Sequence, residues 1–405
     1  MSENMQNQTI ELDLVGQYYA AIIDRNCSGV FAITVYLKET VNPKVLQQAF
    51  NDLMIRLPFL NGKLQKGFFH YKHKLLQELP KTQPISNQAW YDAYYNQGAG
   101  HMVSVIYCTN HFTVRTTHSI CDGRGISRIA RALTVRYFQL LGVKMELADI
   151  IDCDQDFNKE EMENAYVRYA TKEKIKITQT QKKIKAYHSN ITRSAKTYLE
   201  TTIIDVNRLK IVAKKYNATI TEYILAQIFL AIKQERDNQK DKRPITALIP
   251  IDCRTFFPSL TIRTFVMATT ITMPETNDLK EMITQIKGQF ENIQRSQLQA
   301  EINEFNCLYK LIKYIPRVIK RAIMRLFAKI EAQTITTGFS NLGLVTLPKE
   351  LENRVTHLEF PISLENNTPY FFSCIALENN LAFSATFKEE GKELVKAVLE
   401  NLSLD

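Results

Sequence analysis

The sequence predicts an α+β protein built from two halves, in each of which a sheet is flanked by helices. The 405 residues are 45% hydrophobic and 23% charged with few Gly and Pro, which is typical of a folded chain long enough for two or more cores. Alternating strand patterns and helical patterns follow one another along most of the chain. Between residues 149 and 196 an acidic stretch and then a basic stretch lack a core pattern, which indicates a boundary between the halves.

The first half shows five elements in order. A strand is predicted over 30–38 and a helix with an apolar stripe over 43–56. Alternating residues predict strands at 68–77 and 102–118, and a Thr-Asn turn makes the latter a hairpin. A tight, glycine-containing turn leads into a helix over 126–141.

The second half repeats this mixture of elements. The predicted elements are strands at 197–204, 245–252, 263–273 and 336–347, a hairpin at 370–388, and helices at 206–216, 221–235, within 278–330 and at 392–402. We therefore expect an N-terminal lobe over 1–165, a basic crossover segment over 166–196 and a C-terminal lobe over 197–405.

The formal net charge of +9 is concentrated in two segments. Residues 172–196 contain eight Lys or Arg and one Glu, and residues 310–330 contain seven Lys or Arg and no acidic residue, so each carries +7. The rest of the chain carries −5, because +9 less twice +7 leaves −5. Two basic segments on a mildly acidic body argue against a nucleic-acid partner and predict docking surfaces for a phosphorylated or carrier-borne donor, or for a lipid surface.

The residue pattern also gives expectations for the location of the protein and for metal binding. Residues 1–13 are polar and acidic, and no apolar run approaches the ~18 residues that a membrane span needs, so we expect a cytoplasmic protein. Seven scattered Cys without a CxxC pair predict reduced, mostly buried thiols and no zinc site. His70 and His73 would point to opposite faces of a strand, so we interpret both as surface residues and expect no metal.

The most informative pattern is His-Ser-Ile-Cys-Asp-Gly at 118–123, where a predicted strand ends and a helix follows. An imidazole held at a strand end can deprotonate a hydroxyl or amine as that group attacks a thioester carbonyl. Asp122 lies four residues after His118 in a turn too tight for both side chains to face the same way. An inward-pointing Asp122 could hold the turn through an Arg.

With this motif, the chain resembles the acyl-CoA-dependent acyltransferase superfamily that includes chloramphenicol acetyltransferase, plant BAHD acyltransferases and nonribosomal-peptide condensation domains. It resembles most closely the alcohol acetyltransferase-like bacterial proteins. The stretches that carry the resemblance are LQQAFNDLMIRLPFLNGKL at 46–64, TTHSICDGRG at 116–125, ATITEYILAQIFLAI at 218–232, IPIDCRTFFPSLTIRTF at 249–265 and TGFSNLGLVTLP at 337–348.

The resemblance implies two chloramphenicol-acetyltransferase-like lobes with the motif at their interface, in a tunnel that donor and acceptor enter from opposite sides. It implies that His118 is the general base, that Asp122 is a structural partner paired with Arg254, and that the Gly123 backbone contributes to the surroundings of the reacting carbonyl. Acyl-CoA, or the phosphopantetheine of an acyl carrier protein, would be the co-substrate, without a tightly bound cofactor.

The same resemblance places the SNLG turn opposite the histidine, so Ser340 or Asn341 could donate a hydrogen bond to the oxyanion of a tetrahedral intermediate. Thr117 stands where many condensation domains have a second histidine, and the DFGWG segment of the plant family is absent, which favours the acetyltransferase-like branch. The alternatives are a free-standing condensation-type enzyme that forms amides, and a non-catalytic member that serves as a scaffold. Cys121 could be a nucleophile, but direct transfer needs none, and we interpret it as packing.

Segment 310–330 alternates basic and apolar residues at near-helical spacing. A basic amphipathic helix can lie on an anionic membrane, which would make the protein peripheral. Alternatively, the apolar stripe packs on the second half and leaves a cationic face in solvent. Such a face beside the tunnel could also receive an acyl carrier protein or the phosphates of coenzyme A. The acceptor is expected to be a small molecule or a lipid.

Overall fold

The structure is a computed structural model that describes residues 8–23, 28–85, 100–172, 184–189, 196–364 and 368–402. The strands are β1 (Thr9–Glu11), β2 (Val30–Leu37), β3 (Gly62–Lys66), β4 (Tyr71–Leu75), β5 (Gln83–Pro84), β6 (Ser104–Tyr107), β7 (His111–Thr117), β8 (Thr197–Asp205), β9 (Thr246–Asp252), β10 (Val266–Thr272), β11 (Thr337–Val345), β12 (Val355–Glu359), β13 (Tyr370–Leu377) and β14 (Asn380–Lys388). The helices are α1 (Leu14–Ile22), α2 (Pro43–Arg56), α3 (Gly123–Leu140), α4 (Ala165–Arg168), α5 (Val206–Lys215), α6 (Ile220–Asn238), α7 (Leu279–Glu291), α8 (Arg295–Ile312), α9 (Arg317–Ala332) and α10 (Lys392–Leu402).

A five-stranded sheet in the order β12-β2-β7-β6-β5 forms the centre of the first half. Alternate residues of β2, among them Phe31, Ile33 and Val35, point to one face and pack with α2 and α3 in a single core. The edge strand β12 comes from late in the chain and pairs antiparallel with β2, so the two halves are joined by backbone hydrogen bonds. A small sheet in the order β1-β4-β3 lies beside this core.

A six-stranded mixed sheet in the order β10-β9-β11-β13-β14-β8 forms the second half. Phe372, Cys374 and Phe383 point to the face that packs with α6 and α10. Ile375 and Leu377, on the other face of the same sheet, belong to the core of the first half. The predicted α+β fold class, with two lobes of mixed sheet flanked by helices, is confirmed.

The interpretation of 310–330 with an inward apolar stripe is wrong. Pro316 separates α8 from α9, and α9 turns two of its cations toward α1: Arg321 and Arg325 donate to the backbone oxygen of Ala21 at 3.3 and 3.1 Å. This oxygen lies in the last turn of α1, where carbonyls have no partner within the helix. Met324 and Ala328 of α9 pack against the protein, whereas six apolar residues of this helix are therefore exposed: Val318, Ile319, Ile323, Leu326, Phe327 and Ile330.

The interpretation of His73 as a surface residue is also wrong. β4 is the central strand of the three-stranded sheet, and His73 is buried with its Nε2 2.7 Å from the backbone oxygen of Phe59. Burial lowers the pKa of His73 to about 4, so the ring is neutral at neutral pH. His70 is partly exposed.

Some expectations fall partly or wholly on residues that are not described. Of the six described Cys, three are buried, one is partly buried, and Cys108 and Cys307 are exposed. The expectation of mostly buried thiols therefore holds only in part. Cys27 lies outside the described residues. Most of the basic crossover segment over 166–196 lies outside them too, and the limits of the two lobes remain a prediction. No helix in the described ranges has the length and apolar character to cross a bilayer.

Candidate active site

The motif occupies the turn between the end of β7 and the start of α3. Asp122 is the N-cap of α3: its backbone is extended, and its Oδ1 accepts from the backbone nitrogen of Gly125 at 2.8 Å. Gly123 is the first residue of this 18-residue helix, so it lies at the positive end of the helix dipole. The sequence therefore places a helix N-terminus a few residues after His118.

The Asp122 carboxylate is buried and fully engaged in hydrogen bonds. Arg254 donates to it through Nη1 at 2.9 Å and Nη2 at 3.3 Å, and the backbone nitrogen of Phe265 donates at 2.7 Å. Burial opposes the charge on Arg254, but the carboxylates of Asp122 and Asp252 outweigh it and raise the pKa of Arg254. The structure thus brings together Asp122 and Arg254, and leaves the Asp122 oxygens turned toward the protein.

The imidazole of His118 lies between two aromatic rings. Its ring centroid is 4.6 Å from that of Tyr19 and 4.3 Å from that of Phe31, and both pairs are stacked. Burial lowers the pKa of His118 to about 4, although the Asp122 carboxylate acts in the opposite direction. At neutral pH the ring is neutral, which is the form that can accept a proton.

Residues 262–265 of the second half lie directly on the motif. Thr264 donates through its hydroxyl to the backbone oxygen of His118 at 3.1 Å, and Arg263 forms an isolated β-bridge with Cys121. The Phe265 nitrogen reaches Asp122, as described above. The conformation of the turn therefore depends on the second half as well as on the first.

Two glycines in the motif allow close approach of other segments. A Cβ on Gly125 would lie 2.1 Å from the backbone oxygen of Ile262. A Cβ on Gly123 would lie 2.7 Å from Leu342 Cδ2 and 3.1 Å from Phe360 Cζ. Gly123 is thus the point where the SNLG segment of β11 reaches the motif.

The structure separates Ser340 and Asn341. Ser340 pairs in parallel register with Ser373, whose face of the sheet carries Ile375 and packs on the first half. Asn341 points to the opposite face, where its Nδ2 donates to Thr221 at 2.9 Å and its Oδ1 accepts from the Gly343 nitrogen at 2.7 Å. Of these two residues, Ser340 is the one that lies on the side of the sheet that faces the motif.

Sequence reasoning missed α1, which covers the histidine. A Cβ on Gly16 would lie 2.9 Å from the backbone oxygen of Ser119, so α1 lies close against the turn, and Tyr19 follows three residues later. Asp13 caps α1 and binds Arg263 at 3.1 Å. The available signal was an Asp followed by nine residues without a charge, LVGQYYAAI.

Cys121 is buried, and burial raises the pKa of its thiol. The thiol is therefore protonated at neutral pH, which agrees with a packing role. Across the described ranges, no group of three or more His, Cys, Asp or Glu is placed to hold a metal ion.

Solved structures share this fold at low sequence identity. The trichothecene 15-O-acetyltransferase from Fusarium sporotrichioides is 8% identical over 100% of this chain and 98% of that chain, with a TM-score of 0.63. The wax ester synthase/diacylglycerol acyltransferase from Marinobacter aquaeolei is 10% identical over 97% of this chain and 98% of that chain, with a TM-score of 0.54. A mutant starter condensation domain of rhizomide synthetase, in complex with an acyl-CoA and Leu-SNAC, is 11% identical over 98% and 94%, with a TM-score of 0.59.

No protein-family model matches the sequence, and no curated protein matches it. The chain has the fold that these acyltransferases and condensation domains share, and the match extends over nearly the whole chain. The fold that the motif and its matching stretches imply is confirmed.

Proposed function

We propose that this protein transfers an acyl group from a thioester donor to a hydroxyl or amine acceptor, with His118 as the general base. The observation that carries the proposal is the imidazole stacked between Tyr19 and Phe31, beside a carboxylate that is wholly occupied in holding the turn. A base must be unprotonated and held in place. Stacking restrains the plane of the ring, and burial, which lowers the pKa of His118 to about 4, keeps the ring neutral at neutral pH.

The transfer proceeds in two steps. As the acceptor oxygen or nitrogen attacks the thioester carbonyl, His118 takes its proton and a tetrahedral intermediate forms. When the intermediate collapses, the carbon–sulfur bond breaks and the leaving sulfur takes the proton back from the imidazolium. The products are an ester or amide and a free thiol, and His118 returns to its neutral form.

The intermediate carries a negative oxygen, which needs a polar environment. We assign two groups to the stabilisation of this oxygen: the N-terminus of α3 at Gly123 and the hydroxyl of Ser340. Both face the interface between the two halves. One such donor is worth about 3 kcal/mol of transition-state stabilisation. We leave Asn341 out of this role because its amide is engaged with Thr221 and Gly343.

For the donor we propose acyl-CoA or the phosphopantetheine of an acyl carrier protein, reaching His118 through an interface tunnel. The rhizomide synthetase domain, which shares the fold, holds an acyl-CoA and a Leu-SNAC, a pair of thioester-type ligands. The acceptor is a small molecule or a lipid. A cytoplasmic location belongs to the same proposal.

The test is thiol release from a panel of acyl-CoA and acyl-carrier donors with a mixed pool of alcohols and amines. We expect release by the wild type and at least a hundredfold less by His118→Ala, because a positioned general base contributes about 10²–10⁴-fold. An amide as the only product would favour the condensation-type alternative. No release that depends on His118, with any donor and acceptor, would favour a non-catalytic scaffold.

A further inference from the structure

An apolar surface is exposed along α9. It consists of six residues on one side of the helix, which we call the α9 apolar face: Val318, Ile319, Ile323, Leu326, Phe327 and Ile330. Leu326 is 61% exposed, although a leucine in an amphipathic helix of a globular protein normally faces the core. Exposed apolar surfaces of this extent mark interaction sites.

The turn between β3 and β4 extends this surface. Phe68 is 75% exposed, and Phe69 beside it is also exposed. The turn is fixed to the start of α9, because the Arg317 nitrogen donates to the backbone oxygen of Phe68 at 2.8 Å and Arg317 Nε donates to that of Gly67 at 2.9 Å. Tyr314, in the turn before α9, is 76% exposed. Phe68 and Tyr314, two strongly exposed aromatic side chains, therefore lie in two adjoining turns.

The outward orientation of the apolar face is built into the contacts of the helix. Arg321 and Arg325 bind the end of α1, and Lys320 is buried with its Nζ 2.9 Å from Nδ1 of His70. Rotating α9 to bury its apolar residues would break these contacts and leave the Ala21 carbonyl at the end of α1 without its two donors. The apolar face is thus held toward the outside.

The surroundings of this surface carry an excess of cations. Residues 310–330 and 62–75 together contain eleven Lys or Arg and no Asp or Glu, although Lys320, Arg321 and Arg325 face the protein. The exposed Glu11 lies 3.9 Å from Lys313. Lys66, Lys72 and Lys329 are exposed. Apolar and aromatic residues that project from a surface, surrounded by cations, match the interface of an anionic lipid layer, where rings enter the headgroup region and cations attract the phosphates.

We infer that the α9 apolar face, with Phe68 and Phe69, docks the protein on an anionic lipid surface. The site lies close to the motif, because α9 packs on α1, Tyr18 contacts Phe327 with ring centroids 6.5 Å apart, and Tyr19 of the same helix stacks on His118. An apolar substrate leaving the lipid layer at this point would meet α1 first. The docking itself does not depend on acyl transfer, so its test is separate.

The experiment is cosedimentation of the full chain with vesicles of phosphatidylcholine alone and of phosphatidylcholine mixed with phosphatidylglycerol. We expect binding to the mixed vesicles that weakens with added salt. Ile323→Gln with Leu326→Gln, and separately Phe68→Ser with Phe69→Ser, should each lower the bound fraction at least about tenfold. These side chains are exposed, so the melting temperature should not fall, and circular dichroism before sedimentation checks that each variant is folded.

A matched pair of single variants controls for exposed apolar area. Ile211 on α5 is 60% exposed and Leu326 on α9 is 61% exposed. Leu326→Gln should weaken vesicle binding and Ile211→Gln should not. Equal effects of the two, or wild-type binding by both double variants, would overturn the inference. Another outcome is a wild-type protein that is a dimer and binds no vesicles. If Ile323→Gln with Leu326→Gln converts that dimer to a monomer, a second copy covers this face and the inference is overturned. Binding of an acyl carrier protein that needs these residues, without vesicle binding, would likewise overturn it.

Discussion

Replacing Asp122 by alanine should destabilise the protein far more than the loss of an ordinary ion pair. The carboxylate is buried, is held by Arg254 and by the nitrogens of Gly125 and Phe265, and caps α3. Breaking a buried pair by removing one partner costs about 3–5 kcal/mol. Loss of the N-cap costs about 1 kcal/mol more.

A second contact of Arg254 reduces the expected loss of stability. Arg254 keeps a second carboxylate, since its Nη1 also donates to Asp252 at 2.9 Å, and Asp252 is partly exposed. The alanine variant should therefore lose about 4–5 kcal/mol in total, which is the lower part of the combined range of about 4–6 kcal/mol. Asp122→Asn keeps an oxygen that can accept from Gly125, so it should lose about 1 kcal/mol less.

The assay is urea unfolding followed by circular dichroism, with Asp149→Ala as the matched control. Asp149 accepts from Arg131 at 2.6 and 3.0 Å, but its side chain is 71% exposed, and exposed pairs contribute about 0–1 kcal/mol. Equal losses in Asp122→Ala and Asp149→Ala would refute the reasoning that burial makes the Asp122 pair structural.

Three further predictions concern the same turn. In a pH profile of kcat/KM, the acid limb should have its midpoint near pH 4 instead of near 6.5, because burial lowers the pKa of His118 to about 4 and the neutral ring is the base. A midpoint near 6.5 would show that water reaches the ring. Tyr19→Ala should move this midpoint upward, since it removes one of the two rings that exclude water, and a pH profile of the variant measures the shift. Gly125→Ala should lower the melting temperature much more than Gly123→Ala. The new Cβ at position 125 would meet the backbone oxygen of Ile262 at 2.1 Å, whereas the new Cβ at position 123 would meet side chains that can move. Equal melting temperatures of the two variants would contradict this.

The elements that sequence patterns predict are those with long, regular patterns. The helix predicted over 43–56 is α2 with the same limits, and the hairpin at 370–388 is β13 and β14. α1 escaped because nine residues without a charged face give no amphipathic period. β12 joins the sheet of the first half although it lies in the second, a pairing between distant residues that no local pattern reveals.

The orientation of α9 shows where pattern reasoning fails on physical grounds. An amphipathic helix normally buries its apolar side, but here the free carbonyls at the end of α1 bind Arg321 and Arg325 and fix the opposite orientation. At the candidate site, the residues drawn from family resemblance include the Asp122–Arg254 pair that the structure brings together. Tyr19 and Phe265 reach the motif only through tertiary packing, so their roles could not be read from the chain.

Whether His118 is the base for acyl transfer is decided by kcat/KM for thiol release by His118→Ala, with the melting temperature of the variant showing that it is folded. Asp149→Ala, on the surface of the first half, serves as the activity control. We expect a loss of about 10²–10⁴-fold for His118→Ala and no loss for Asp149→Ala. Retained activity in His118→Ala, with the same donor and acceptor, would contradict this expectation.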